Sequence, residues 1–232
     1  MNEQMAKEIL DKVVGQVFGY QNPFSLEQAL AKFAFDRRLP QPVNDTKTGE
    51  KTWASSTAPS QFITMKNASL ETMGKDFMIP TCPLNGVDDI IAAWAETNFT
   101  TTERTIDSLN VAQSDLCYGS ENVFRSLNTT RSKNIIFSEG VSDSEYLVAG
   151  LQSTTSSFCV RVEDSQLTTN SFNVIWSAKV SNSFFIQDCY DCMDCMFCSH
   201  LSGKRFCVAN MQLDETEYNR LKPLVIKWIL TS

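Results

Sequence analysis

Apolar positions near the start of the chain follow a helical spacing. Ile9, Leu10, Val13, Val14, Val17 and Phe18 share one face of residues 3–18, with Glu3, Glu8 and Asp11 toward the acidic start, which predicts an amphipathic helix. A second helix is expected from Ser25. Ser25 and Gln28 fit a capping box, and Leu26, Leu30, Phe33 and Phe35 supply apolar positions before Leu39, Pro40 and Pro42 end regular structure. Residues 40–62 are polar and punctuated by Pro40, Pro42, Gly49 and Pro59, as expected of a long surface loop or linker, and residues 61–78 show no clear period. A third helix fits residues 87–97, where Ile90, Ile91 and Trp94 share a face and Asp88 and Asp89 occupy the first turn.

The character of the chain changes beyond residue 100, with no proline from 84 to 222 and no glycine from 151 to 202. Short Ser/Thr/Asn/Asp segments alternate with short apolar ones, starting at Ser120, Ser132, Ser142, Ser156, Ser171, Ser181 and Asp191, a loose period of ten to fifteen residues. That unit is too short for a pair of helices but accommodates one strand and one turn. Stacked copies predict a parallel β-helix or flattened β-solenoid, with inward Val, Ile, Phe and Cys in ladders and Ser, Thr and Asn satisfying the turns. An antiparallel meander is the alternative, disfavoured because the region lacks Asn-Gly and Asp-Gly turns. Asp214 with Glu217 opens a terminal helix that Pro223 should kink or end, leaving Leu224, Val225, Ile226, Trp228, Ile229 and Leu230 to cover an exposed solenoid end. The expected class is therefore α+β: a helical arm over 1–40, a loop and mixed α/β connector over 41–100, solenoid repeats over 101–213 and a capping helix over 214–232.

Composition narrows the function classes. The chain has 232 residues and a formal net charge of −7, which argues against binding to a phosphate backbone. A single histidine, His200, removes most His-based acid–base, triad and metal chemistry. No run approaches the eighteen apolar residues of a membrane span, and the charged first thirty residues lack a secretory pattern, so a cytoplasmic location in the producing cell is expected. The sequons at Asn67, Asn98 and Asn128 then carry little weight, and eight cysteines read as reduced thiols or a metal site before a disulfide framework.

Four of those cysteines, Cys189, Cys192, Cys195 and Cys198, recur at an unbroken spacing of three. An iron–sulfur cluster is one reading, although the fourth spacing and the missing proline depart from the ferredoxin pattern. Structural zinc is another, with Cys207 or His200 as replacement for one ligand. The favoured reading is core filling, because Tyr190, Met193, Met196 and Phe197 interleave with the thiols and Cys behaves as a small hydrophobe in a narrow turn. Disulfides between stacked rungs would need an oxidising setting. Asp188, Asp191 and Asp194 repeat at the same spacing and read as turn residues in preference to a cation site. Glu139, Glu145, Glu163 and Asp164 offer no convincing catalytic pair, and no serine has a marked base, so no enzyme is expected.

The run FIQDCYDCMDCMFCSHLSGKRFCVANMQLDETEY resembles the C-terminal signature of a poorly characterised family of Cys/Asn-rich repeat proteins of candidate-phyla bacteria and tailed phages. The matching positions are Cys195 and Cys198, His200-Leu201 with Lys204, Phe206 through Asn210, and Glu217-Tyr218; the resemblance covers about residues 110–220. Many bacterial members carry N-terminal zinc-ribbon cysteine pairs, whereas only Cys82 and Cys117 precede Cys159 here, so N-terminal metal binding does not carry over. The resemblance implies a repetitive β-solenoid, and the ribbon-free helical start is similar to the phage-borne versions. It therefore implies a non-enzymatic structural or assembly protein, a virion component such as a minor head, decoration or neck protein. Such a protein would dock on other protein subunits through its solenoid face and helical arm; the alternative is a metal or iron–sulfur module centred on the cysteine run.

Overall fold

The computed structural model describes residues 1–58, 61–72 and 78–231. Its main body is a parallel β-solenoid of about nine turns, with helices before it and one after it. The turn repeats every twelve residues: Lys133, Ile135 and Ile136 lie against Glu145, Leu147 and Val148, and those against Ser157, Cys159 and Val160. The expected loose period of ten to fifteen therefore resolves to twelve. Starts at Ser120, Ser132 and Ser156 keep the true register, while those at Ser142, Ser171, Ser181 and Asp191 do not.

Beneath the coil lies a shorter period. From Asn110 to Phe206 every third residue has a positive φ, between 42° and 67°. With one left-handed corner per three residues, a twelve-residue coil turns four corners and has four short sides. Asn and Asp tolerate this conformation better than other non-glycine residues, which explains their density here: Asn110, Asn122, Asn128, Asn134, Asn170, Asn173 and Asn182 all occupy corners. Asp188, Asp191 and Asp194 do so too, as the turn reading expects.

The residue after each corner points inward. From Ser114 to Cys198 every third residue is buried. Some inward columns are apolar, such as Val123, Ile135, Leu147 and Cys159 stacked one above another. Others are serine, and there the hydroxyl is a structural part. Ser120 Oγ donates to Tyr118 O at 3.0 Å and accepts from Ser132 N at 3.2 Å, and Ser132 and Ser144 repeat both bonds one and two coils on. A second column through Ser114, Ser126 and Ser138 ends on Gly150 N. The serines thus satisfy inward-facing amides that the backbone ladder leaves unpaired.

One outer face of the solenoid is apolar. Phe124, Ile136, Val148, Val160, Phe172, Phe184 and Met196 stack there at twelve-residue intervals and form a second core with the helices. Helix α1 (Glu3–Phe18), capped by Asn2 Oδ1 on Met5 N at 2.9 Å, lays its buried Leu10, Val13, Val14 and Phe18 on that stripe. Phe18 meets Phe172 and Phe184 at ring-centroid distances of 5.5 and 5.9 Å. Helix α2 (Leu26–Phe33), with the expected capping box at Ser25 and Gln28, adds Phe33 at 5.8 Å from Phe172. Arg161 then binds Phe33 O at 2.7 Å and Asp36 at 2.9 Å, and the buried Arg37 pairs with Glu163 at 3.2 Å. The helical arm is thus packed on its own solenoid, and its apolar face is covered.

Within residues 40–62, expected as loop, Gln41–Asn44 and Lys51–Ala54 form an antiparallel hairpin, and Gln61–Thr64 pairs in parallel with Phe99–Thr102. Buried Asp45 organises this connector by accepting from Lys47 N, Thr48 N, Thr64 N and Asn67 Nδ2 at 2.8 to 3.2 Å. It is locked to the first coil by Asp115, fully buried, which accepts from Arg104 N, Nε and Nη2 and from Ser55 N. Helices α3 (Met65–Thr72) and α4 (Val87–Ala95) follow, and α4 has no buried residue.

At the far end, Met211–Gln212 pairs antiparallel with Arg205–Val208 and closes the last coil. Helix α5 (Glu215–Thr231) runs on through Pro223, at which the sequence predicts a kink or stop. Its Tyr218 packs on Phe206 of the last coil at 5.6 Å. The helix then follows the apolar face, with Ile226 and Ile229 buried and Trp228 5.7 Å from Phe185, so it covers the side of the solenoid as well as the end. Among the described residues no helix is long and apolar enough to cross a membrane.

Candidate functional site

Cys189, Cys192, Cys195 and Cys198 are four successive inward positions, one from each side of a single coil, and each is at most 2% exposed. The spacing of three that marks them in the sequence is the corner period itself. Cys189 and Cys195 follow Ser177 and Ser183 of the preceding coil, while Cys192 and Cys198 follow Val180 and Ile186. The thiols point to the carbonyls two residues back, as the serine hydroxyls do: Cys195 Sγ to Met193 O at 3.3 Å, Cys198 Sγ to Met196 O at 3.3 Å and Cys192 Sγ to Tyr190 O at 3.5 Å. Cys207 stacks directly above Cys195 in the next coil.

The four thiols are not equivalent. A hydrogen bond from Cys195 holds the Cys198 thiol down to about 7, against the burial that would raise it. Cys195, itself buried beside the Cys198 sulfur, is pushed well up, so the two thiols titrate as a coupled pair. Burial lifts Cys189 to about 11, and Cys117 and Cys159, alone in their own coils, to about 12. Such thiols are protonated at neutral pH and act as packing atoms.

His200, the expected replacement ligand, stands outside the coil at a corner, 74% exposed, with Nδ1 3.4 Å from Asp188. The solenoid therefore separates it from the thiols, while Cys207 is brought to them. Among the described residues no group of three or more His, Cys, Asp or Glu side chains is arranged to hold a metal ion. The acidic candidates are dispersed: Glu139 accepts from Arg38 N at 3.1 Å, Glu163 pairs with Arg37, and Glu145 lies beside Lys133 in the ladder.

Sequence reasoning missed a second concave feature, an open groove of about 530 Å³ on the outside of the coils that carry the cysteine run and those before it. Trp176 and Tyr190 border it, with Asp164, Asp188 and Gln166. Its sequence signal is the twelve-residue column of corner residues Gln152, Asp164, Trp176, Asp188 and His200, visible only once the period is known. No family model, curated protein or solved structure matches this chain.

Proposed function

We propose that this protein is a non-enzymatic structural or assembly protein that docks on other protein subunits. The observation that carries this reading is α4. Val87, Ile90, Ile91 and Trp94 are 52 to 69% exposed on one helix, and Leu84 beside them is 54% exposed. A contiguous apolar face of this kind on a water-facing helix marks a protein contact. The solenoid supports the same reading, because its serines are engaged in the inner ladder and two of its four candidate carboxylates, Glu139 and Glu163, in contacts to the arm. The docking element thereby shifts from the arm, whose apolar face is covered, to α4 and the uncovered solenoid sides. The narrower assignment, a phage virion component such as a minor head, decoration or neck protein, located in the cytoplasm of the producing cell or in the particle, rests on the family resemblance alone.

Chemical cross-linking with mass spectrometry in the producing cells, alongside light scattering of the purified chain, tests it. Cross-links from the connector to another subunit, or self-association, are expected, and Ile90→Glu with Trp94→Glu should abolish them. A monomer without cross-linked neighbours would overturn the proposal.

A second reading, a metal or iron–sulfur module on Cys189, Cys192, Cys195 and Cys198 with Cys207, rests on the four thiols sharing one coil with Cys207 stacked on Cys195, although as they stand no three of them are arranged to hold an ion. Elemental analysis and an absorption spectrum of anaerobically purified protein decide it: stoichiometric zinc or an iron chromophore would replace the packing role of that coil.

A further inference from the structure

Left-handed corners are poor places for aromatic residues, whose bulk raises the cost of a positive φ. The solenoid nevertheless places seven there: Phe137, Tyr146, Phe158, Trp176, Phe185, Phe197 and Phe206. Six of them gain a packing partner in return. Phe137 meets Phe124 at 6.1 Å, Tyr146 stacks on Phe158 at 4.6 Å, Phe185 stacks on Phe197 at 4.6 Å, and Phe206 meets Tyr218 at 5.6 Å. Trp176 differs: its φ is 47°, it is 55% exposed, and among the described ring contacts it has none. Trp176 thus holds a strained corner with more than half of its surface open and no ring packed on it, which makes it the corner aromatic available to a ligand.

Trp176 lies in the wall of the 530 Å³ groove. On its own ridge Asp164 stands one coil before it and Asp188 one coil after. The facing ridge carries Gln166, Ala178 and Tyr190, with the small Ala178 in the same coil as the indole. Lys179 Nζ already lies 5.0 Å from the Tyr190 ring centroid, which leaves Trp176 as the open aromatic surface. Strands of neighbouring coils are about 4.8 Å apart, so Asp164 and Asp188 are separated by roughly 10 Å along the groove.

We propose that this groove binds a neutral oligosaccharide, with a pyranose ring on the Trp176 indole. The C–H face of a sugar matches the exposed indole, and its hydroxyls match carboxylate acceptors on one ridge and the Gln166 amide on the other. The groove is open and extends along several coils, which suits a chain of sugars better than a compact metabolite. Two carboxylates in the wall and a net charge of −7 repel acidic sugars, which leaves those without carboxylate or sulfate groups.

The test is calorimetric titration of the full chain with cellohexaose, maltohexaose and chitohexaose, followed in parallel by tryptophan emission. At least one hexasaccharide should bind with Kd of about 1 mM or tighter, and Trp176→Ala should weaken it by about tenfold or more. Trp53→Phe, in the hairpin strand Lys51–Ala54, should leave both the affinity and the emission change intact. Because Trp176 is exposed, its replacement should preserve the circular dichroism spectrum. Absence of binding for all three sugars, or binding that Trp176→Ala does not weaken, would overturn the proposal. Either result leaves the assembly reading untouched, since that reading rests on α4.

Discussion

Replacing one inward serine by alanine isolates the device that holds the coils in register. Ser126 is fully buried; its Oγ donates to Phe124 O at 3.0 Å and accepts from Ser138 N at 3.1 Å. Phe124 O keeps a second partner, Phe137 N at 3.1 Å, so Ser126→Ala orphans one group, the buried Ser138 N–H. An unsatisfied buried donor costs about 1–3 kcal/mol, and the small void left by the hydroxyl adds little. For a chain of this length that corresponds to a fall of about 2–12 °C in the melting midpoint. Urea and thermal unfolding followed by far-ultraviolet circular dichroism would measure it. Ser126→Cys is the informative companion, because later coils place cysteine in equivalent positions with the same carbonyl contacts. Its weaker acceptor sulfur should give a loss between zero and that of alanine. Stability of Ser126→Ala within about 0.5 kcal/mol of the parent would refute the role assigned to the serine columns, as would a cysteine variant less stable than the alanine one.

Four other measurements probe different parts of the molecule. Thiolate absorbance should rise with a midpoint near 7, and Cys195→Ser or Cys198→Ser should remove or shift that step, since it belongs to the pair. Cys159 stays protonated up to about 12 whereas an unfolded thiol ionises near 9.0, so this group is neutral in its effect below pH 9 and subtracts stability as pH rises from 9 to 12. Melting midpoints should therefore fall over that window, and less steeply in Cys159→Ser. Asp115→Ala should cost about 2–4 kcal/mol in urea unfolding, because it leaves Arg104 and three backbone donors without their shared acceptor; a smaller loss would show that the connector is not locked to the first coil there. Leu10→Ala, at a fully buried position between α1 and the solenoid, should cost about 2–5 kcal/mol. An unchanged melt would mean that the arm does not stay on the apolar stripe.

Helices were legible because their signals are local. The face of Ile9, Leu10, Val13, Val14 and Val17 and the Ser25–Gln28 capping box need only neighbouring residues to be recognised. What covers a face is not local: the same kind of pattern in α4 ends exposed, and nothing in residues 87–95 distinguishes it from α1. The hairpin at residues 41–54 was hidden for a related reason. Its stability comes from Asp45 and from pairings between residues tens of positions apart, such as Thr52 with Thr102 at 2.7 Å.

The solenoid was legible as a repeat but not in its period, and the reason is chemical. Searches for a core follow apolar residues, and here the strongest apolar signal, Phe124, Ile136, Val148, Val160, Phe172 and Phe184, lies on the outside, beneath the helices. The interior mixes Val, Ile, Leu and Cys with many serines, a residue read as turn or surface. Its polarity is tolerated inside because hydroxyls such as those of Ser126 and Ser132 donate to a carbonyl of their own coil and accept from an amide of the next. Once serine is counted as an inward residue, Ser114, Ser120, Ser126, Ser132, Ser138 and Ser144 fall into step with Val123, Ile135, Val141 and Leu147 at multiples of three. Cys189, Cys192, Cys195 and Cys198 continue the same series. The cysteine run therefore continues serine columns at Cys189 and Cys195 and apolar columns at Cys192 and Cys198, and its thiols serve both: they keep carbonyl contacts at 3.3 to 3.5 Å while filling the narrow interior. What distinguishes this coil chemically is the closeness of its sulfurs, which lets Cys195 hold Cys198 near 7 where an isolated inward thiol such as Cys159 sits near 12.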